Sequence, residues 1–213
     1  MDSKKIIIIL ITSLSLFIAL TALVITEHTP TQSFNDAFYA PIAELITPSL
    51  TTVSIVIGSL THWYTYAPII LLLLALPKTR RDVGIPLAIT LSASAILGPV
   101  ILKNILAIER PVANQLIDPG GFGYPSGHSM NAVVFFIMCA IMIIRHSSKA
   151  TVKIGFTFFA IASILLVGLS RIYLGVHTFT DVIGGYLIGT VVVCSSILIE
   201  RRIKREQHHD RKT

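Results

Sequence analysis

Lys103, Arg110 and Arg171 each stand at the end of a long apolar segment, whereas the other fourteen Lys and Arg residues fall in termini or loops. A cation at membrane depth costs about 2.5–3.5 kcal/mol on insertion scales, so three of them call for a compensating anion, and a bound phosphate is a suitable one. Beside them in the chain lies Tyr124-Pro125-Ser126-Gly127-His128-Ser129, followed at once by an apolar run. Ser126 suits a helix N-cap, and Gly127 lets another group approach the backbone. A helix N-terminus with free N–H groups attracts anions, and His128 sits in its first turn. Further on come Ser170-Arg171 and then His177 and Asp181, spaced i and i+4 as neighbours on one helix face. A carboxylate accepting from one imidazole nitrogen fixes the tautomer and leaves the other nitrogen free to attack.

Each signal has a plainer reading. Lys103 and Arg110 are seven apart, two helical turns, and could simply snorkel to lipid phosphates. Because Arg110 precedes Pro111, that helix is expected to end at Arg110 with the two cations stacked near its outer end. His128 could be a capping-region histidine with no further role. Asp181 could complete a capping box with Thr178, which is compatible with orienting His177. Taken together, three cations, two histidines, a carboxylate and a helix N-terminus meet the needs of phosphoryl transfer: positioning, cationic stabilisation of the equatorial oxygens, an in-line nucleophile and an acid for the leaving group. Carboxylates on that side are sparse (Glu27, Asp36, Glu44, Glu109, Asp118, Asp181), with no Asp/Glu cluster of two-metal type. A route without metal or other cofactor is therefore expected.

The elements that must hold these groups are membrane spans. Of 213 residues, 53% are hydrophobic and 13% charged, and the mean hydropathy is +0.77, too apolar for a soluble domain of this length. The apolar residues come in runs, and about 20 of them cross a bilayer as a helix. Six spans are expected, at roughly Ile6–Ile25, Val53–Leu76, Val83–Ala107, Ser126–Ile144, Ile154–Leu169 and Val182–Ile199. The second holds a polar stretch, Thr61-His62-Trp63-Tyr64-Thr65-Tyr66, and could instead be two shorter segments or an interfacial aromatic belt. Pro86 and Pro99 would kink the third, which is tolerable where neighbours satisfy the freed backbone. The first run is longer than a usual signal-peptide core and lacks a clear A-x-A site, which favours an uncleaved anchor.

Basic residues set the orientation. Lys4, Lys5, Lys78, Arg80, Arg81, Arg145, Lys149, Lys153, Arg201, Arg202, Lys204, Arg205, Arg211 and Lys212 all fall on one side of a six-span chain, which is cytoplasmic by the positive-inside rule. Both termini would lie inside and the chemistry outside. The net charge of +6 then follows from topology, and a nucleic-acid partner is not needed to explain the basic tail. Cys139 and Cys194 lie within spans without metal spacing and read as packing residues. Residues 1–213 read as one integral-membrane domain with its motif core at 103–181. The loop Glu27–Thr52 carries Phe34, Phe38, Ile42 and Leu45 at helical spacing, and could lie on the membrane surface or pack on the bundle. The loop Ile108–Pro125 is too rich in Gly and Pro to be helical throughout.

The three motifs resemble the type 2 phosphatidic acid phosphatase (PAP2) superfamily, whose signature is K-x6-R-P, then P-S-G-H, then S-R-x5-H-x3-D. Here these are Lys103 through Arg110-Pro111, Pro125-Ser126-Gly127-His128, and Ser170-Arg171 through His177 and Asp181, with order and spacing matched in full. The resemblance implies an all-α, six-helix PAP2-type bundle. It implies that His177 attacks phosphorus to form a phosphohistidine, that Asp181 orients and polarises it, and that His128 protonates the leaving oxygen and then activates water. Lys103, Arg110, Ser126, Gly127 and Arg171 would hold the phosphate oxygens. The residues alone do not decide which histidine attacks; Asp181 beside His177 favours that one. The compact plan is similar to bacterial relatives acting on undecaprenyl pyrophosphate or phosphatidylglycerophosphate, and the former is the expected substrate, with phosphatidylglycerophosphate or phosphatidate as alternatives. The partners expected are the lipid phosphate and the surrounding lipids, with no obligate protein partner and no nucleic acid. A non-enzymatic anion or lipid transporter would carry polar residues through the span centres, which are mostly apolar here. Vanadate-dependent haloperoxidases share the motifs but are usually soluble.

Overall fold

The computed structural model describes residues 2–26, 29–77, 80–111 and 115–210, with the side chains of 63 and 208–210 left aside. Glu27, Lys78, Arg211 and Lys212, named above, lie outside the described residues. The described chain is helical: α1 Ser3–Ile25, α2 Thr29–Ala43, α3 Pro48–Ser59, α4 Trp63–Ala75, α5 Arg80–Leu106, α6 Gly127–His146, α7 Ala150–Tyr173 and α8 Phe179–Asp210. Among the described residues six helical stretches are long and apolar enough to cross a membrane. In hydrocarbon a helix satisfies its own backbone, which is why such apolar runs fold this way. The centre of the bundle is α6 and α8, the most deeply covered spans; α1 packs on α8, α7 on α6, and α3 on α7.

The α6–α8 seam is made close by small residues. Gly185 and Gly189, four apart on α8, meet the backbone of α6, where a Cβ on Gly185 would lie 2.5 Å from the Ser126 carbonyl oxygen. Such small-residue spacing lets membrane helices approach. Met130, Val134 and Met138 of α6 pack there with Ile188, Val192 and Cys194 of α8, so Cys194 is buried and Cys139 half-buried as packing thiols.

The structure decides two choices that the sequence leaves open and corrects one expectation. The second span is not one continuous helix: it breaks at Leu60–His62 into α3 and α4. Side chains make the break tolerable, because Thr61 Oγ1 donates to the Gly58 carbonyl (3.2 Å) and Thr65 Oγ1 to the Ser59 carbonyl (2.6 Å). The helix carrying Lys103 ends at Leu106, not at Arg110, because Ala107 adopts a left-handed conformation (φ 48°) that caps it. α5 itself is mixed, with π-helical turns at Arg80–Gly84 and Ile96–Leu102 around an α-helical stretch, the second turn containing Pro99. Third, the helix α2, which follows α1, packs on the bundle. Phe34 and Phe38 set their rings against Phe179 (centroids 5.3 and 4.3 Å), and Ile42 joins a cluster with Tyr173, Leu174 and Val176, while Leu45 stays exposed.

The basic residues gather at one end of the bundle. Arg145 and Lys204 both pair with Glu200 (3.1 and 2.6 Å), and Arg201 donates to Ser3 Oγ beside the N-terminus (2.9 Å). The motif residues occupy the other end.

Candidate active site

Most motif residues are placed by helix ends. Ser126 caps α6 as its sequence suggests, its Oγ accepting from Ser129 N at 3.4 Å and from Ser129 Oγ at 3.0 Å. This sets Gly127 and His128 in the first turn. Thr178 and Asp181 cap α8 reciprocally: Thr178 N donates to Asp181 Oδ2 (2.9 Å) and Asp181 N to Thr178 Oγ1 (3.1 Å). The two caps are joined, since Ser126 N donates to the Asp181 carbonyl at 2.9 Å. His177 therefore precedes α8 and does not share a helix face with Asp181, as i and i+4 spacing suggested. The cap instead turns Asp181 back so that Oδ2 also accepts from His177 Nδ1, at 3.3 Å.

Arg110 reaches the site from the loop after α5. Gly123 N donates to the Ile108 carbonyl (2.7 Å), folding the Gly- and Pro-rich loop back on itself. A Cβ on Gly123 would sit 2.9 Å from the Glu109 carbonyl, so only glycine permits this approach. Arg110 Nε then donates to the carbonyls of Gly120 and Gly121, both at 3.0 Å, and Nη1 to the Val176 carbonyl at 2.8 Å. Nη1 also lies 3.1 Å from His177 Nε2. A guanidinium can only donate, so Nε2 is the acceptor and the imidazole proton resides on Nδ1, facing Asp181.

Lys103 Nζ donates to the Phe122 carbonyl at 2.6 Å, tying α5 to the same loop. Arg171, at the end of α7, is 4% exposed, and Gly58 of α3 makes room for it: a Cβ there would lie 2.6 Å from Arg171 Nη1. Its buried Nε meets no hydrogen-bond acceptor among the described residues. Buried donors are nearly always paired, so an unpaired guanidinium nitrogen here is a mark of an anion site. The charges of Lys103, Arg110 and Arg171 lie close enough to act on one another.

A cavity of about 490 Å³ opens among these groups, lined by Lys103, Arg110, Gly127, His128 and His177 together with Thr61, His62 and Asn131. Ser126, Arg171 and Asp181 stand behind this wall: Ser126 is wholly buried with its hydroxyl committed to the cap, and Asp181 is buried beneath His177. The electrostatics favour a neutral His177. Burial disfavours the imidazolium form and holds the His177 pKa down at about 4, with Asp181 pulling the other way. Burial also lowers the Arg110 pKa, against the pull of Asp181, but a guanidinium starts so high that it stays charged. Among the described residues no group of three or more His, Cys, Asp and Glu side chains could hold a metal ion.

Four residues of the site stand outside the motifs. Thr61 and His62 reach the cavity through the α3–α4 break, and the signal was the polar stretch inside an apolar span. Asn131 bridges to it, accepting from Ser94 Oγ at 2.8 Å and donating to the Thr61 carbonyl at 3.5 Å. Asn35 of α2 clasps the start of α8: its Nδ2 donates to Thr180 Oγ1 (3.0 Å) and its Oδ1 accepts from Thr180 N (3.1 Å). Nothing in the sequence around Asn35 announces that contact.

The sequence and the fold have counterparts among known proteins. Residues 82–205 match the PAP2 superfamily. The chain is 36% identical over 107 residues to phosphatidylglycerophosphatase B of Bacillus subtilis strain 168 (49% of this chain, 52% of the relative). It is 33% identical over 143 residues to the undecaprenyl-diphosphatase of Sulfolobus acidocaldarius (64% of each). The chain thus covers between about half and two thirds of the length of these curated relatives. Among solved structures, the transmembrane PAP2-type phosphatidylglycerolphosphate phosphatase of Bacillus subtilis superimposes with a TM-score of 0.81 at 27% identity, over 92% of this chain and 98% of that one. Aquifex aeolicus LpxE shares the fold at a TM-score of 0.60 and 23% identity, over 76% of this chain and 93% of that one. With the three motifs gathered around one cavity on a bundle that superimposes so fully, and with more than half the sequence matched, this chain belongs to the PAP2 superfamily.

Proposed function

We propose that this chain is a lipid phosphatase of the cell membrane, with its site at the extracytoplasmic face, acting through a phosphohistidine on the terminal phosphate of undecaprenyl diphosphate. The observation that carries the reading is the state of His177: its Nδ1–H held by Asp181 and its Nε2 lone pair turned toward Arg110 at 3.1 Å, on the wall of a cavity shared with His128 and Lys103. In the first step the Nε2 lone pair attacks phosphorus and forms the P–N bond. The P–O bond to the leaving group breaks, and His128 gives that oxygen its proton. In the second step His128 takes a proton from water, the hydroxyl oxygen attacks phosphorus, and the P–N pair returns to Nε2 as inorganic phosphate leaves. Arg110, Lys103, Arg171 and the backbone at Ser126 and Gly127 stabilise the oxygens; Arg110 exchanges its bond to Nε2 for one to phosphate. No cofactor enters this scheme.

Orientation rests on the Arg145, Lys204 and Arg201 end of the bundle, which the positive-inside rule assigns to the cytoplasm. The diphosphate reading draws on two cations, Lys103 and Arg110, on the cavity wall with Arg171 buried behind it, and on the undecaprenyl-diphosphatase relative. A second reading, phosphatidylglycerophosphate, is favoured by the fold neighbour at TM-score 0.81. The test is phosphate release by protein purified in detergent from undecaprenyl diphosphate, phosphatidylglycerophosphate and phosphatidate. The first should give the highest kcat/KM; preference for the second would establish the other reading, and release from none would end both. Denaturation during turnover of ³²P-labelled lipid should trap acid-labile label on His177, absent in His177→Ala. Activity should persist in a metal chelator; loss restored by Mg²⁺ would refute a scheme without metal.

A further inference from the structure

We propose that His62 is a specificity-determining residue that grips the phosphate departing with the lipid when the substrate is a diphosphate. The inference rests on the phosphatase reading above. His62 lies on the cavity wall, its ring centroid 5.9 Å from that of His128 and stacked at 4.3 Å on Tyr64. His62 thus stands beside the acid, His128, on the wall of the cavity that His177 also lines. In-line displacement puts the leaving group on the acid's side, away from the attacking nitrogen. His62 therefore borders whatever leaves.

Its placement is built. A membrane span is interrupted to bring it there, and the interruption is fixed by a buried polar chain in which Ser94 donates to Asn131 (2.8 Å) and Asn131 to the Thr61 carbonyl (3.5 Å). Thr61 is 1% exposed and Ser94 fully buried. Polar groups at such depth are costly and mark function. At about 490 Å³ the cavity falls within the roughly 300–1,000 Å³ range of small-molecule sites, with room beyond one phosphate.

For a lipid diphosphate, His177 Nε2 bonds to the terminal phosphorus and the bridging P–O bond breaks. The electron pair stays on the bridging oxygen, which takes the His128 proton and leaves as part of the lipid monophosphate. A His62 N–H then donates to a non-bridging oxygen of that monophosphate, in either protonation state of the ring. With a lipid monophosphate the leaving group is an alcohol, and His62 meets no second phosphate. A hydrogen bond to a charged group corresponds to about 10- to 100-fold in rate or affinity.

The experiment compares farnesyl diphosphate with farnesyl monophosphate in the same micelles, for wild type, His62→Phe and His62→Gln. The ratio of kcat/KM for diphosphate over monophosphate should fall at least tenfold in His62→Phe and recover in large part in His62→Gln, which keeps a donor. Inhibition of the monophosphate reaction gives an independent reading: His62→Phe should weaken inorganic diphosphate at least tenfold relative to inorganic phosphate. A ratio within twofold of wild type in both measurements overturns the assignment, even if both rates fall together. A wild-type protein that cleaves neither lipid overturns the phosphatase reading itself.

Discussion

Replacing Gly185 by alanine should disable the site without replacing any motif residue. The added Cβ would stand 2.5 Å from the Ser126 carbonyl oxygen and 2.9 Å from Ser129 Cβ. Neither neighbour can swing aside: one is backbone and the other is a first side-chain carbon. Ordinary contact begins near 3.4 Å, so α6 and α8 must part there by about 0.9 Å. That displacement falls on the residue before Gly127 and two before His128, and on the bond from Ser126 N to the Asp181 carbonyl (2.9 Å) that joins the two caps. Overpacking of this kind costs about 1–3 kcal/mol of stability. A misplacement of about 1 Å between catalytic groups costs roughly 10²-fold in rate. The assay is initial-rate phosphate release at saturating lipid, with thermal unfolding in the same detergent to confirm a folded protein. Gly155→Ala is the control, since a Cβ there meets nothing within 4 Å. The expectation is a loss of about a hundredfold in kcat for Gly185→Ala and little change for Gly155→Ala. Full activity in Gly185→Ala would refute the claim that this seam sets the distance between His128 and His177.

Arg110→Ala should lower kcat by about 10²–10³, the loss typical of one preorganised donor to a developing anion, and unchanged turnover would remove Arg110 from the phosphate site. His177 should remain neutral well below the ordinary imidazole range: because burial disfavours its charged form, protonation requires acidifying toward about pH 4. Histidine-labelled NMR in detergent, with the signal assigned by its loss in His177→Asn, checks this, and titration near pH 6.5 would contradict the buried site. Asn35→Ala removes two hydrogen bonds from Thr180, each contributing about 1 kcal/mol, and should cut kcat by roughly tenfold while KM changes little. A rise in KM alone would mean that α2 serves lipid access and not the setting of α8.

The sequence by itself determined the spans and the family to which the motifs belong. Apolar runs near 20 residues long can satisfy their backbones only as helices, and basic residues at alternate ends order them, so the bundle was legible from composition and spacing. Local caps were equally legible. Ser126 and the Thr178–Asp181 pair act within four residues of themselves, and short-range hydrogen bonding needs no knowledge of the fold. Tertiary structure decided what depends on contacts between distant residues. Spacing put Lys103 and Arg110 on one helix face; instead the helix stops at Leu106, and Arg110 is carried in by a loop whose hydrogen bonds run to Gly120, Gly121 and Val176. The polar stretch at Thr61–Tyr66 left the second span open to a break without deciding it, and nothing local says that Gly58 clears space for Arg171 or that Asn35 of α2 clasps Thr180 across 145 positions. Helix ends and caps are written in neighbouring residues, whereas the gap between two packed helices is set by which side chains both of them lack.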